Sequence, residues 1–136
     1  MRRLAIVISM ATACAMLASG CTSYVKVPLG QEFTLAPGQE VSISGEPLRV
    51  MFDRVIEDSR CPTGVVCIWE GRVGCLIRMT YQGNYEWVIL TKPGLSDDAA
   101  GQTYREYRLN LSVAPYPQAG KAIAPGDYRL IITVSK

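Results

Sequence analysis

Apolar and polar residues alternate with a period of two along most of the chain, and helical spacing is scarce, so the pattern predicts strands. Phe33-Thr34-Leu35 and Val41-Ser42-Ile43 flank Ala36-Pro37-Gly38-Gln39, where Pro and Gly occupy the central positions of a type II turn, a hairpin candidate. Leu48 to Glu57 predicts a longer strand with Leu48, Val50 and Phe52 on one face, and its phase blurs near Arg54-Val55-Ile56, where a bulge fits. Arg72 to Tyr81 places Val73, Cys75, Ile77, Met79 and Tyr81 on one face and turns through Gln82-Gly83-Asn84 into Tyr85 to Leu90. In that second strand Tyr85, Trp87 and Ile89 share a side. Lys92 to Gln102 predicts a mobile surface loop, and Ala114 to Gly126 a second loop punctuated by three prolines. Between and after them, Tyr107, Leu109, Leu111 and Val113, then Tyr128, Leu130, Ile132 and Val134, mark two clear strands. Seven or eight short strands predict an all-β fold, a single antiparallel β-sandwich of immunoglobulin-like architecture, with an open barrel as the alternative.

The first residues follow a different pattern. Arg2 and Arg3 precede an apolar stretch from Leu4 to Leu17, and Leu17-Ala18-Ser19-Gly20 leads into Cys21. Fourteen residues of helix rise about 21 Å, short of the roughly 30 Å hydrocarbon core, so the stretch suits a secretory signal rather than a membrane span. It resembles a bacterial lipoprotein signal, in which small residues precede a cysteine that is acylated and becomes the new N-terminus. The resemblance implies that residues 1–20 are a cleaved signal, that Cys21 is the lipidation site, and that the membrane is a partner through the lipid. Thr22 stands where an Asp would signal inner-membrane retention, which implies an outer-membrane, periplasm-facing location in the cell envelope. More than one acyl chain anchors stably, each buried methylene contributing about 0.8 kcal/mol. Residues 21–30 are expected to be anchor and tether, Thr22 to Gly30 reaching at most roughly 30 Å, and residues 31–136 the sandwich.

Charge changes with that signal. Its two arginines account for the whole net charge of +2, leaving 12 basic against 12 acidic residues in the expected mature chain. Nucleic-acid binding needs clustered positive charge, so no nucleic-acid partner is expected.

Three cysteines fall in the expected domain, which allows one bridge and one free thiol. Cys61 with Cys67 closes a turn-rich loop and would contribute about 2 kcal/mol on the loop-entropy account. Cys67 with Cys75, across a hairpin turning at Glu70-Gly71, is the other pairing. A free Cys75 would serve as a small buried hydrophobe.

The most distinctive string is Asp58-Ser59-Arg60-Cys61-Pro62, a few residues, then Cys67-Ile68-Trp69-Glu70-Gly71. Here the chain resembles a group of small exported bacterial proteins, many of them lipoproteins, that share D-S-R-C-P followed by C-x-W-x-G and have no assigned activity. The resemblance spans about Phe33 to the last strand and implies a Cys61–Cys67 bridge, because those are the cysteines in its pattern. Asp58 and Ser59 can bond nearby backbone N–H groups. Arg60 can pair with Asp58 or lie over the Trp69 ring, a contact contributing about 0.5–2 kcal/mol, and Gly71 permits the reversal. One outcome is a purely structural stapled corner. The other is a rigid loop presenting Pro62, Val65, Val66 and Trp69 to a protein of the envelope, with Tyr116, between Pro115 and Pro117, exposed for a ligand.

Catalytic chemistry has little foothold. The chain holds no histidine, which removes Ser-His-Asp, Cys-His and His-zinc schemes. Cys61 and Cys67 lack the C-x-x-C spacing of redox pairs. Glu57-Asp58 and Asp97-Asp98 are adjacent acids, which on a strand point to opposite faces, and neither matches a calcium loop. No catalytic residue, cofactor or metal is expected. The function expected is a lipid-anchored, non-catalytic binding or assembly module, with an envelope enzyme using carboxylates or a thiol, or an inhibitor of an exported enzyme, as alternatives.

Overall fold

The computed structural model describes residues 24–94 and 101–136, so Cys21, Asp97 and Asp98 lie outside the described residues. Among the described residues nine strands form: β1 Val25–Val27, β2 Glu32–Leu35, β3 Glu40–Ile43, β4 Leu48–Asp58, β5 Arg72–Tyr81, β6 Asn84–Pro93, β7 Gln102–Tyr104, β8 Tyr107–Ala114 and β9 Arg129–Ser135. They build a five-stranded sheet in the order β1-β3-β4-β5-β6 and a four-stranded sheet in the order β2-β9-β8-β7. The two sheets are not closed into a barrel, and the architecture is a β-sandwich. Among the described residues no helix is long and apolar enough to cross a membrane.

Alternation explains the core. Val50 and Phe52 of β4 and Val73, Cys75, Ile77 and Met79 of β5 point inward and are buried. Opposite them lie Leu109, Leu111 and Val113 of β8 and Leu130, Ile132 and Val134 of β9, all buried. Each such aliphatic side chain contributes about 1.5–3 kcal/mol on leaving water. The bulge expected in β4 is present as two register shifts, between Phe52 and Arg54 and between Val55 and Glu57.

Several elements differ from expectation. Residues 36–39 do form the turn, with Gly38 at φ +83 and the Gln39 N–H donating to the Ala36 carbonyl at 3.0 Å. Yet β2 and β3 are not a hairpin: β2 pairs with β9 and β3 with β4, so the turn carries the chain from one sheet to the other. The sandwich is also not wholly antiparallel, because β1 pairs in parallel with β3. That strand occupies part of the segment expected to be tether, leaving three residues between Cys21 and Val25. Lys92 and Pro93 extend β6, and Gln102–Tyr104 form β7, so the expected loop between them is shorter. On β6, Tyr85, Trp87 and Ile89 share a side as expected; that side faces outward and is exposed, while Val88 and Leu90 turn toward the core on the face that also carries the exposed Glu86.

Candidate functional site

β4 ends at Asp58 and β5 begins at Arg72, and the intervening residues make a corner at one end of the sandwich. Its base is a short ladder. Ser59 N–H donates to the Arg72 carbonyl at 2.8 Å, Arg72 N–H donates to Ser59 Oγ at 3.1 Å, and Cys61 N–H donates to the Glu70 carbonyl at 3.1 Å. Gly71 is required twice over, by its φ of +67 and by the Ser59 carbonyl oxygen, which would sit 1.7 Å from any Cβ at this position. Cys61 and Cys67 are bridged with their Cα atoms 5.9 Å apart, which settles the pairing against Cys67–Cys75. Cys75 is free and buried, and burial pushes its thiol up to about 12.

Arg60 clamps the corner across the two sheets. Its guanidinium donates from Nε and Nη2 to the two carboxylate oxygens of Asp58 at 2.8 and 2.6 Å, a fork-to-fork pair. The remaining donors reach the four-stranded sheet, Nη1 to the Val113 carbonyl at 2.7 Å and Nη2 to the Pro115 carbonyl at 3.1 Å. Only 6% of Arg60 is accessible to water. Of the two partners expected for it, Arg60 thus takes Asp58 and not the Trp69 ring; its aromatic partner is Tyr116, whose ring centroid lies 5.1 Å away. Asp58 also accepts from the Tyr128 hydroxyl at 3.1 Å and from the Arg60 N–H at 3.3 Å, the Asx-type turn expected of it. Burial alone would raise the Asp58 carboxyl, but the hydrogen bonds and charge of Arg60 outweigh it and hold the group below its ordinary value.

A second brace comes from the loop after β8. Thr63 N–H donates to the Pro117 carbonyl at 3.0 Å and Ala119 N–H donates to the Thr63 carbonyl at 3.3 Å. The stapled loop is therefore held at its base by hydrogen bonds, across its middle by sulfur, and on its flank by residues 117–119.

All five candidate binding residues meet here. Pro62, Val65, Val66, Trp69 and Tyr116 line one open cleft of about 660 Å³ beside the Cys61–Cys67 bridge. Trp69 also walls a second cleft of about 620 Å³, shared with Glu57, Ser59, Arg72 and Pro93. Tyr116 departs from expectation, being half-buried rather than exposed, with its hydroxyl enclosed and making no hydrogen bond. Ile68, which sequence reasoning passed over, is fully exposed at 106%, beside Val66 at 102% and Trp69 at 75%. Its signal is its place between Cys67 and Trp69, directly after the bridged loop and ahead of the strand that begins at Arg72. The acids at the corner are engaged: Glu57 accepts from Arg72 Nε at 3.1 Å and Asp58 pairs with Arg60. Among the described residues no group of three or more Cys, Asp or Glu side chains is placed to hold a metal ion.

No protein-family model, no curated protein and no solved structure matches the chain.

Proposed function

We propose that this protein is a lipid-anchored module of the bacterial cell envelope, held by an acylated Cys21 and facing the periplasm from the outer membrane, that works by docking rather than by catalysis. The observation that carries the reading is the convergence of Pro62, Val65, Val66, Trp69 and Tyr116 on one cleft at a corner stapled by Cys61–Cys67. A loop fixed beforehand loses little conformational entropy on docking, so its exposed apolar side chains convert contact into affinity efficiently. A bridge suits an oxidising compartment, which supports export. The non-catalytic part of the reading rests on chemistry: the chain lacks histidine, and Glu57 and Asp58 already serve as partners of arginines.

The test is made in the producing cells. Mass spectrometry of the membrane-extracted protein is expected to find an N-terminal acylated Cys21, and Cys21→Ser to abolish that modification. An unmodified Cys21 in the mature protein refutes the anchor. A corner variant, Val66→Asp with Ile68→Asp, is expected to lose the partner or surface that the parent protects from surface labelling; identical labelling of parent and variant in cells refutes docking through the corner.

A further inference from the structure

The tip of the corner has the chemistry of a lipid-facing surface. From Cys61 through Trp69 no residue carries a charge, and Val65, Val66, Ile68 and Trp69 stand out from the sandwich into solvent. A rigid, uncharged projection carrying a tryptophan is suited to the zone between headgroups and acyl chains, where the indole keeps its N–H wet and its ring dry.

Chain direction has β1 begin from the side of the corner. β1 runs parallel to β3 and β3 antiparallel to β4, so β1 is entered from the side on which β4 delivers the chain to the corner. Val25 lies level with Val41 and Val50, hence with Met79 of β5. From Met79 to Val73 at the corner is six residues, about 20 Å of strand. Cys21 precedes Val25 by four residues, a span of at most about 14 Å. That span is shorter than the strand length from the level of Val25 to the corner, so lipid and tip meet one bilayer when the sandwich leans toward its β1 edge.

We propose that the stapled tip is a second membrane contact: Val65, Val66 and Ile68 enter the interface of the bilayer that holds the Cys21 lipid, with Trp69 at headgroup depth. This rests on the anchored reading above and names the surface on which the corner docks. The contact is apolar and uncharged, so it persists at high salt, unlike a basic patch drawn to anionic lipid. It also fixes orientation. Trp87, paired with Arg78 and nearer the far turn at Gln82-Gly83, then stands well away from the bilayer with the exposed outer face of β6.

The two tryptophans make the test internal. Full-length protein is reconstituted into phosphatidylcholine vesicles with or without acyl-chain-brominated lipid, as Trp87→Phe, in which Trp69 reports, and as Trp69→Phe, in which Trp87 reports. Trp69 is expected to emit further to the blue and to lose most of its emission to bromine at low and high salt, whereas Trp87 changes little. Val66→Asp with Ile68→Asp, at two fully exposed positions, is expected to abolish quenching of Trp69 without altering the unfolding midpoint. A photo-crosslinker at position 66 is expected to give lipid adducts. Unquenched Trp69, equal quenching of both tryptophans, or protein adducts in place of lipid overturns the proposal. Mass spectrometry of the same sample reports Cys21 separately. If no acyl group is present the anchor fails alone, and quenching of Trp69 by vesicles added to the protein still decides whether the tip enters lipid.

Discussion

Replacing Arg60 by Met tests whether the corner is held by a buried charge pair or merely decorated by one. The methionine keeps much of the aliphatic volume and removes every hydrogen bond of the guanidinium. Asp58, its side chain only 9% accessible, is left as an uncompensated carboxylate, and the Val113 and Pro115 carbonyls each lose a donor. Breaking one side of a buried pair costs about 3–5 kcal/mol, against about 0–1 kcal/mol for an exposed pair. Measured against a total stability of about 5–15 kcal/mol, the first figure would dominate any unfolding curve. Denaturant unfolding is the assay, with the midpoint moving and the slope unchanged. Adding Asp58→Asn to Arg60→Met removes the stranded charge, so the pair of changes should cost less than the sum of the single ones by about 1–3 kcal/mol. Arg60→Lys should not rescue, because an ammonium cannot match the carboxylate fork and reach two carbonyls at once. A cost below about 1 kcal/mol for Arg60→Met, or additivity in the double variant, would refute the clamp.

The same carboxylate sets an acid limb. Because the folded Asp58 titrates below its ordinary value, the folded state binds fewer protons than the unfolded chain between the two values. Its contribution is complete above about pH 4 and is lost as pH falls below that, and Asp58→Asn should flatten that part of a stability-versus-pH curve. Cys75, buried with its thiol at about 12, should resist alkylation at neutral pH in the folded protein and react on unfolding without reductant, when Cys61 and Cys67 stay blocked. Two or more reactive thiols among these three under those conditions would contradict the bridge. Gly71→Ala should destabilise by about 1–3 kcal/mol from backbone strain alone, before the clash with the Ser59 carbonyl, whereas Gly83→Ala, at a turn with open space around it, should show the strain without a clash. Comparing the two midpoints isolates the cost of the close approach.

What the sequence revealed and what it hid divide along the distance over which each feature is determined. Inward and outward positions are local, so Leu109, Leu111 and Val113 could be assigned to the core from alternation alone. Pairing is not local: Leu35 lies beside Leu130, and nothing near residues 36–39 distinguishes a hairpin from a crossover, since both need the same reversal. β1 is three residues long, too short for a period to register, and its partner Val41–Ile43 comes from a different part of the chain. On β6 both sides are largely apolar, and the inward choice depends on Glu86 meeting the Tyr104 hydroxyl and Arg105, which alternation cannot see.

The corner shows the same division within one site. Ser59, Cys61, Cys67 and Gly71 act within the motif and on Arg72 beside it, as Asp58 does through Arg60, and the motif alone conveys these roles; the bond from Tyr128 to Asp58 is the long-range exception. Arg60 pairs with Asp58, one of the two partners its sequence neighbours offer, but its bonds to Val113 and Pro115 and its contact with the Tyr116 ring cross more than fifty residues, beyond local reasoning, and Tyr116, expected exposed, is half-buried. The shape of the corner and its rigidity therefore have separate origins. Turn chemistry and the bridge shape the loop, while Val113, Pro115 and Pro117 immobilise it against the other sheet. A peptide spanning 58–71 could close the bridge yet would leave Arg60 solvated and the apolar tip free to fold back on itself. Presentation of Val66, Ile68 and Trp69 is for that reason a property of the whole sandwich.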